Sequence, residues 1–153
     1  MKKNYVKLFI LLTVTVIITL TLSTIYKQKF WVTSYSYDKL NKITADEFNE
    51  YITENPDIIL YIGDKNNISI NKIEKKFINN LEKLNILENT IYIENNDITP
   101  ELEKILKKEY KYIYNEKQLP TILVIIDGEI IQKEILEEDS DVYNIINYEV
   151  FKW

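Results

Sequence analysis

Residues 8–26, LFILLTVTVIITLTLSTIY, run for nineteen positions without a charged side chain. At about 1.5 Å per residue a helix of that length reaches roughly 28 Å, close to the ~30 Å hydrocarbon core of a bilayer. The run predicts a transmembrane helix, whose threonines and Ser23 can bond back to the helix's own carbonyls. The connector 27–43 is polar and aromatic, with Tyr35 and Tyr37 among serines, and reads as a spacer or an extra edge strand. Thr44-Ala-Asp-Glu47 then matches a capping box, and Phe48, Tyr51 and Ile52 repeat at helical spacing up to Asn55, where Pro56 stops the helix.

Ile58-Ile-Leu-Tyr-Ile62 reads as a buried strand ended by Gly63. The turn cluster Asp64 to Ser69 follows, with Asn66, Asn67 and Ser69 as candidate helix caps. Ile70, Ile73, Phe77, Leu81 and Leu84 then step by three and four along an amphipathic helix. Thr90–Glu94 is a second strand. Pro100 opens a helix whose apolar face is Leu102, Ile105 and Leu106. Thr121–Ile126 and Glu129–Ile135 are strands joined by the hairpin pair Asp127-Gly128, and Val142, Ile145, Ile146 and Val150 mark a last helix. Strands separated by helices run parallel, whereas the Asp-Gly turn joins its neighbours antiparallel, so the order predicts a four-stranded mixed sheet with helices on both faces.

The lysines set an expected orientation. Lys2, Lys3 and Lys7 precede the apolar run and Lys27 and Lys29 follow it, a bias that keeps residues 1–7 in the cytoplasm and places the rest outside. Tyr5 and Tyr26, with Phe30 and Trp31, suit the two interfaces. No small-x-small cleavage site stands out beyond Thr21-Leu-Ser23, so an uncleaved anchor at 8–26 is expected, then the connector 27–43 and an extracytoplasmic domain at 44–153.

Composition narrows the chemistry. The chain has no cysteine, histidine or arginine; its nineteen basic residues are all lysine. Disulfides, thiol nucleophiles, imidazole bases and His/Cys zinc sites are thereby excluded, and no cofactor is implied. Residues 27–153 carry sixteen lysines against twenty-four acids, a formal charge of −8, and no run of lysines in the sequence reads as a basic patch. Such a domain repels nucleic acid and anionic lipid.

The element order resembles the thioredoxin fold. Leu119-Pro120-Thr121, entering a strand that ends in Asp127-Gly128, resembles that family's cis-proline loop and final hairpin. Tyr61-Ile-Gly63 before a turn and a long helix resembles the strand that feeds the redox motif, and this version is similar to bacteriocin transport accessory proteins, small thioredoxin-like proteins of Gram-positive bacteria. The resemblance covers about residues 43–150 and implies an α/β domain with a cis bond before Pro120. It departs where Cys-x-x-Cys is expected: the matching tetrapeptide is Asn67-Ile68-Ser69-Ile70, and no cysteine elsewhere replaces it.

Thiol-disulfide exchange is thus chemically excluded. The resemblance implies instead a surface of Asn67, Ile68, Ser69, Ile70, Leu119, Pro120 and Thr121 that grips an extended peptide by strand-like backbone pairing, the alternative being that Asn66, Asn67 and Ser69 are only helix caps. The expected role is a membrane-anchored, redox-inactive accessory factor for an exported polypeptide or its secretion machinery; an immunity-type or structural role is the alternative. Ser69-Ile-Asn-Lys72 matches Ser-x-x-Lys of serine hydrolases but lacks the partner motifs. Glu94–Asp97 and the acidic stretch 137–141 lack the glycine and spacing of a calcium loop. The mixed charges from Glu101 to Glu109 read as an exposed helix face, and Tyr110, Tyr112 and Tyr114 as core or sheet-edge packing.

Overall fold

The computed structural model describes residues 2–29, 33–138 and 140. The helix expected over Val142 to Val150 lies outside them. The chain forms two units, residues 1–32 and 33–153.

The first unit is one helix, α1 (Lys2–Lys29), whose segment Tyr5–Tyr26 is long and apolar enough to cross a membrane. The hydroxyls of Thr13, Thr15, Thr19, Thr21 and Thr24 each donate to the carbonyl four residues back, at 2.8–2.9 Å. Their polarity is absorbed inside the helix, which is what lets five threonines stand in an apolar run.

In the second unit the elements are α2 (Tyr35–Lys39), β1 (Asn41–Lys42), α3 (Phe48–Glu54), β2 (Ile58–Gly63), α4 (Asn71–Lys83), β3 (Thr90–Glu94), α5 (Pro100–Lys108), β4 (Thr121–Ile126) and β5 (Glu129–Ile135). They build a five-stranded sheet in the order β1-β3-β2-β4-β5, one strand more than the pattern predicts. The extra strand is the two-residue β1, parallel to β3 through Asn41 opposite Ile91 and Lys42 opposite Tyr92. Of the two readings of the connector, its end is therefore an edge strand, and from Thr33 onward it belongs to the compact unit.

β2 lies at the centre, parallel to β3 and antiparallel to β4. Both its faces are covered, which is why it reads as a continuous apolar run. Ile59 and Tyr61 face α2 and α4, packing with Phe77, Ile78, Leu81, Tyr92 and Ile122. Ile58, Leu60 and Ile62 face α3 and α5, packing with Phe48, Ile52, Leu102, Leu106 and Leu123. The β4–β5 hairpin turns through Asp127 and Gly128, both at positive φ (51° and 73°), the backbone that an Asp-Gly pair tolerates. Asp127 N–H donates to Asp57 Oδ1 at 2.8 Å, and Gly128 N–H to the Pro56 carbonyl at 3.1 Å, tying the hairpin tip to the end of α3.

Glu47 reaches back to Thr44 N–H (2.8 Å), one half of the expected capping box, but the Thr44 hydroxyl donates to the same carboxylate (2.9 Å) and α3 begins only at Phe48, with Glu47 as its N-cap. α5 starts as predicted, with Thr99 Oγ1 accepting from Leu102 N–H and Pro100 in the first turn. Tyr110 packs edge-on against Phe48 and Tyr112 is buried, while the Tyr114 hydroxyl donates to Asn95. Tyr112 belongs to the core, and Tyr110 and Tyr114 pack half-buried against it.

Candidate functional site

The register brings the expected site residues to one end of the sheet. Ile62 is opposite Thr121 and Gly63 is opposite Glu94, so the loop leaving β2 lies beside the loop entering β4. The Leu119–Pro120 peptide bond is cis, as the resemblance implies.

The two segments present different things. Asn67 is half-buried, Ser69 exposed, Ile70 half-buried, and Ile68 is 42% exposed, a large apolar side chain in solvent. Pro120 and Thr121 are buried, and Leu119 is half-buried. The Pro120 carbonyl accepts Leu136 N–H at 3.0 Å, and Thr121 is paired on both sides in the sheet. Among the described residues no hydrogen bond takes the backbone groups of Leu119. A peptide strand would therefore find backbone only at Leu119, and side chains only at Asn67–Ile70.

The capping role expected of Asn66, Asn67 and Ser69 is not what the chain adopts. A 3-10 turn, Ile68–Ile70, leads into α4, whose N-cap is Ile70 with no side-chain cap. Ser69 Oγ donates to Asn67 Oδ1, and Asn66 N–H to Asp64 Oδ1 at 2.8 Å. The asparagines and the serine close turns among themselves, as short polar side chains do when a loop competes with the helix. Ser69 is bonded away from Lys72, which is solvent-exposed, so the Ser-x-x-Lys spacing assembles no catalytic pair. Glu94 is buried against Tyr92, and among the described residues no cluster of carboxylates is suited to a metal.

Beneath the start of α4 lies a buried polar network that the sequence reading missed. Glu74, 1% exposed, accepts the Tyr61 hydroxyl at 2.6 Å on Oε1. Its Oε2 accepts Tyr35 N–H (2.8 Å) and Ser36 N–H (3.2 Å), while Asn71 Oδ1 also accepts Tyr35 N–H at 2.7 Å. The ring of Tyr61 stacks on that of Tyr92 with centroids 5.6 Å apart, and the Tyr92 hydroxyl donates to Glu94 Oε2 at 2.9 Å. Glu94 in turn accepts Lys65 N–H at 3.1 Å, and Ser34 N–H donates to the Lys65 carbonyl at 2.7 Å. One signal was available: Glu74 falls among Ile73, Phe77 and Ile78 on the apolar side of α4.

Burial holds the Glu74 carboxyl above the usual carboxylate range, against the pull of its hydrogen bonds from Tyr61, Ser36 and Tyr35. Burial, and then the Glu74 charge, push the Tyr61 hydroxyl well up; burial and Glu94 do the same to Tyr92. Burial also raises Tyr110 and Tyr112, and takes Tyr114 up to about 12. A folded tyrosine with a raised pKa contributes stability that is complete below the unfolded value of about 10 and is lost as pH rises beyond it. An absorbance titration should therefore show two classes of tyrosine, the buried class ionising only with cooperative unfolding. A single smooth transition would contradict the packing.

Gly63 is required by the same stack. A Cβ there would lie 2.7 Å from Tyr61 Cε1 and 3.0 Å from Tyr92 Cε2. Both rings are held by their hydroxyls and cannot swing aside, so Gly63→Ala should cost about 1–3 kcal/mol, as overpacking does. Urea unfolding of the detergent-solubilised chain measures it; an unchanged midpoint would mean the stack yields.

No family model and no curated protein matches this chain. Among solved structures, one described as "A putative oxidoreductase with a thioredoxin fold" aligns over 75% of this chain and 97% of its own length, with a TM-score of 0.55 and 16% identity. The strand order, the helices on both faces and this likeness define a thioredoxin fold. At that identity the likeness carries the fold alone.

Proposed function

We propose that the protein is a membrane-anchored, redox-inactive thioredoxin-like binding factor for an exported polypeptide, acting outside the cytoplasm and, by its resemblance, in bacteriocin transport. The observation that carries this reading is the pairing of a thioredoxin fold with a chain that has no thiol. A scaffold without its sulfur can still bind, and the sheet end offers an exposed isoleucine, Ile68, and at Leu119 a backbone that no hydrogen bond takes among the described residues. The neighbour's description as an oxidoreductase does not transfer, since thiol-disulfide exchange needs a cysteine. Neither catalysis nor a cofactor is part of the proposal.

The apolar helix α1 supports anchoring, and the lysine bias around it supports an outward-facing domain. In-cell crosslinking from a photoreactive residue at Ile68 should capture an exported polypeptide or a secretion component, and deletion of the gene should reduce export of that polypeptide. Capture of nothing, with export unchanged, would overturn the reading. Hypersensitivity of the deletion strain to a toxin, with export intact, would favour immunity instead.

A further inference from the structure

The formal charge of −8 conceals a separation of charge that only the fold displays. On α4, Lys72, Lys76, Asn79 and Lys83 follow one another at i, i+4, i+7 and i+11, one line along the helix about 16 Å long. Lys75 lies beside that line, and all four lysines are exposed. The two acids of α4 are Glu74, turned inward, and Glu82 in the last turn. Among the described residues none of these ammonium groups is held in an ion pair. On α3, by contrast, Glu50 and Glu54 are exposed, with Asp46 and Glu47 just before them and no lysine on the helix. α3 and α4 cover opposite faces of the sheet, so the acidic α3 and the lysine line of α4 lie on opposite sides of the domain, while α5, on the α3 side, carries charges of both signs.

Folding does not account for the basic side. Lys72, Lys75 and Lys76 lie in the first half of α4, where positive charge opposes the helix dipole, and like charges at i, i+4 repel. The stripe is held at a cost to the helix. Its chemistry also points away from a protein partner: the cores of protein interfaces are depleted of lysine and built on aromatic or arginine anchors, and no aromatic side chain stands among these lysines. Compact, hydrated ammonium groups are what an anionic lipid surface attracts.

We propose that the lysine face of α4 is a docking surface for an anionic lipid bilayer, on which the domain lies with α3 turned away. This rests on the reading of α1 as a membrane anchor. The stripe would fix which side of the domain meets the lipid.

The chain has no cysteine, so a thiol-reactive, polarity-sensitive fluorophore reports a single introduced position in the full-length protein. Asn79→Cys labels the stripe and Asn49→Cys labels α3, each in vesicles of phosphatidylcholine alone or mixed with phosphatidylglycerol. The expected result is a blue shift and loss of most acrylamide quenching at position 79 in phosphatidylglycerol vesicles only, with position 49 unchanged. High salt should reverse the change, and so should Lys72→Gln, Lys76→Gln and Lys83→Gln together, three exposed substitutions that leave the core untouched. Identical behaviour at position 79 in both lipids, or equal response at 49 and 79, in chains that float with the vesicles would overturn the docking surface and leave the anchor standing. Chains that fail to float would overturn both. A shift at position 79 that appears only on adding an exported polypeptide would assign the stripe to that partner and refute the lipid.

Discussion

Replacing Glu74 by alanine should cost the domain about 2–5 kcal/mol, a large part of the roughly 5–15 kcal/mol that holds a small domain together. The carboxylate accepts three hydrogen bonds in a site closed to water. Tyr35 N–H would keep Asn71 Oδ1, but Ser36 N–H and the Tyr61 hydroxyl would be left buried, each at about 1–3 kcal/mol. Those amides open α2, a five-residue helix that has no stability of its own. Glu74 is thus a second N-terminal acceptor, supplied from another helix beside the helix's own cap from Ser34 to Tyr37 N–H. Hydrogen exchange should show residues 33–40 losing protection first. Glu74→Gln keeps a carbonyl for the amides and an amide group for the tyrosine oxygen, and should cost less than about 1.5 kcal/mol. Equal losses for alanine and glutamine would show that the charge, not the acceptor, holds α2.

The same pair isolates a pH dependence. Because the folded Glu74 has a raised pKa, its contribution is fully present below the ordinary carboxylate range and is lost as pH rises through the raised value. Glu47 acts in the opposite sense, held low by its hydrogen bonds from Thr44, so its contribution fades as pH falls through the lowered value. The difference between wild type and Glu74→Gln cancels the Glu47 contribution. It should shrink steadily from acid to neutral pH.

How far the sequence discloses this molecule depends on whether each element is specified locally. β2, β3, β4 and β5 were legible because β-branched runs are bounded by Gly63, Pro120 and Asp127-Gly128, and because central strands are apolar on both faces. β1 is not specified locally, because Asn41 and Lys42 carry no apolar alternation; what makes them a strand is the edge of β3. α2 was invisible because its local cap, Ser34 accepting from Tyr37 N–H, is joined by acceptors from Asn71 and Glu74 some thirty-eight residues away. The start of α4 misled because Asn66, Asn67 and Ser69 are equally good at capping a helix and at closing a loop, and only the loop's own hydrogen bonds decide between them. The candidate site was legible as a place, through Pro120 and the strand ending in Gly63. Its accessible part proved narrower, since Pro120 and Thr121 turn into the core. The basic side of α4 was hidden by net charge, which sums over faces that the fold keeps apart.

Phe77→Ala should be the most damaging single truncation on the α4 side of the sheet, at about 3–5 kcal/mol. The ring is 1% exposed and lies against Tyr61 with centroids 5.9 Å apart, so its loss opens a cavity beside the hydroxyl that Glu74 binds. A cavity that reaches that carboxylate and phenol would have polar partners enough to admit water, unlike an apolar one. Water there would weaken the burial that raises the Glu74 pKa, and with it the stability that the protonated form contributes at low pH. The cost of Phe77→Ala should therefore be larger near pH 4 than near pH 7, because wild type loses an acid-side increment that the variant never had. Phe77→Leu, which fills most of the space, should cost less and show little pH dependence. Urea midpoints of both variants at the two pH values decide it, and repeating them in the Glu74→Gln background should abolish the difference. A pH-independent cost in the wild-type background would mean that the cavity stays dry and that Glu74 owes its environment to α2 rather than to Phe77.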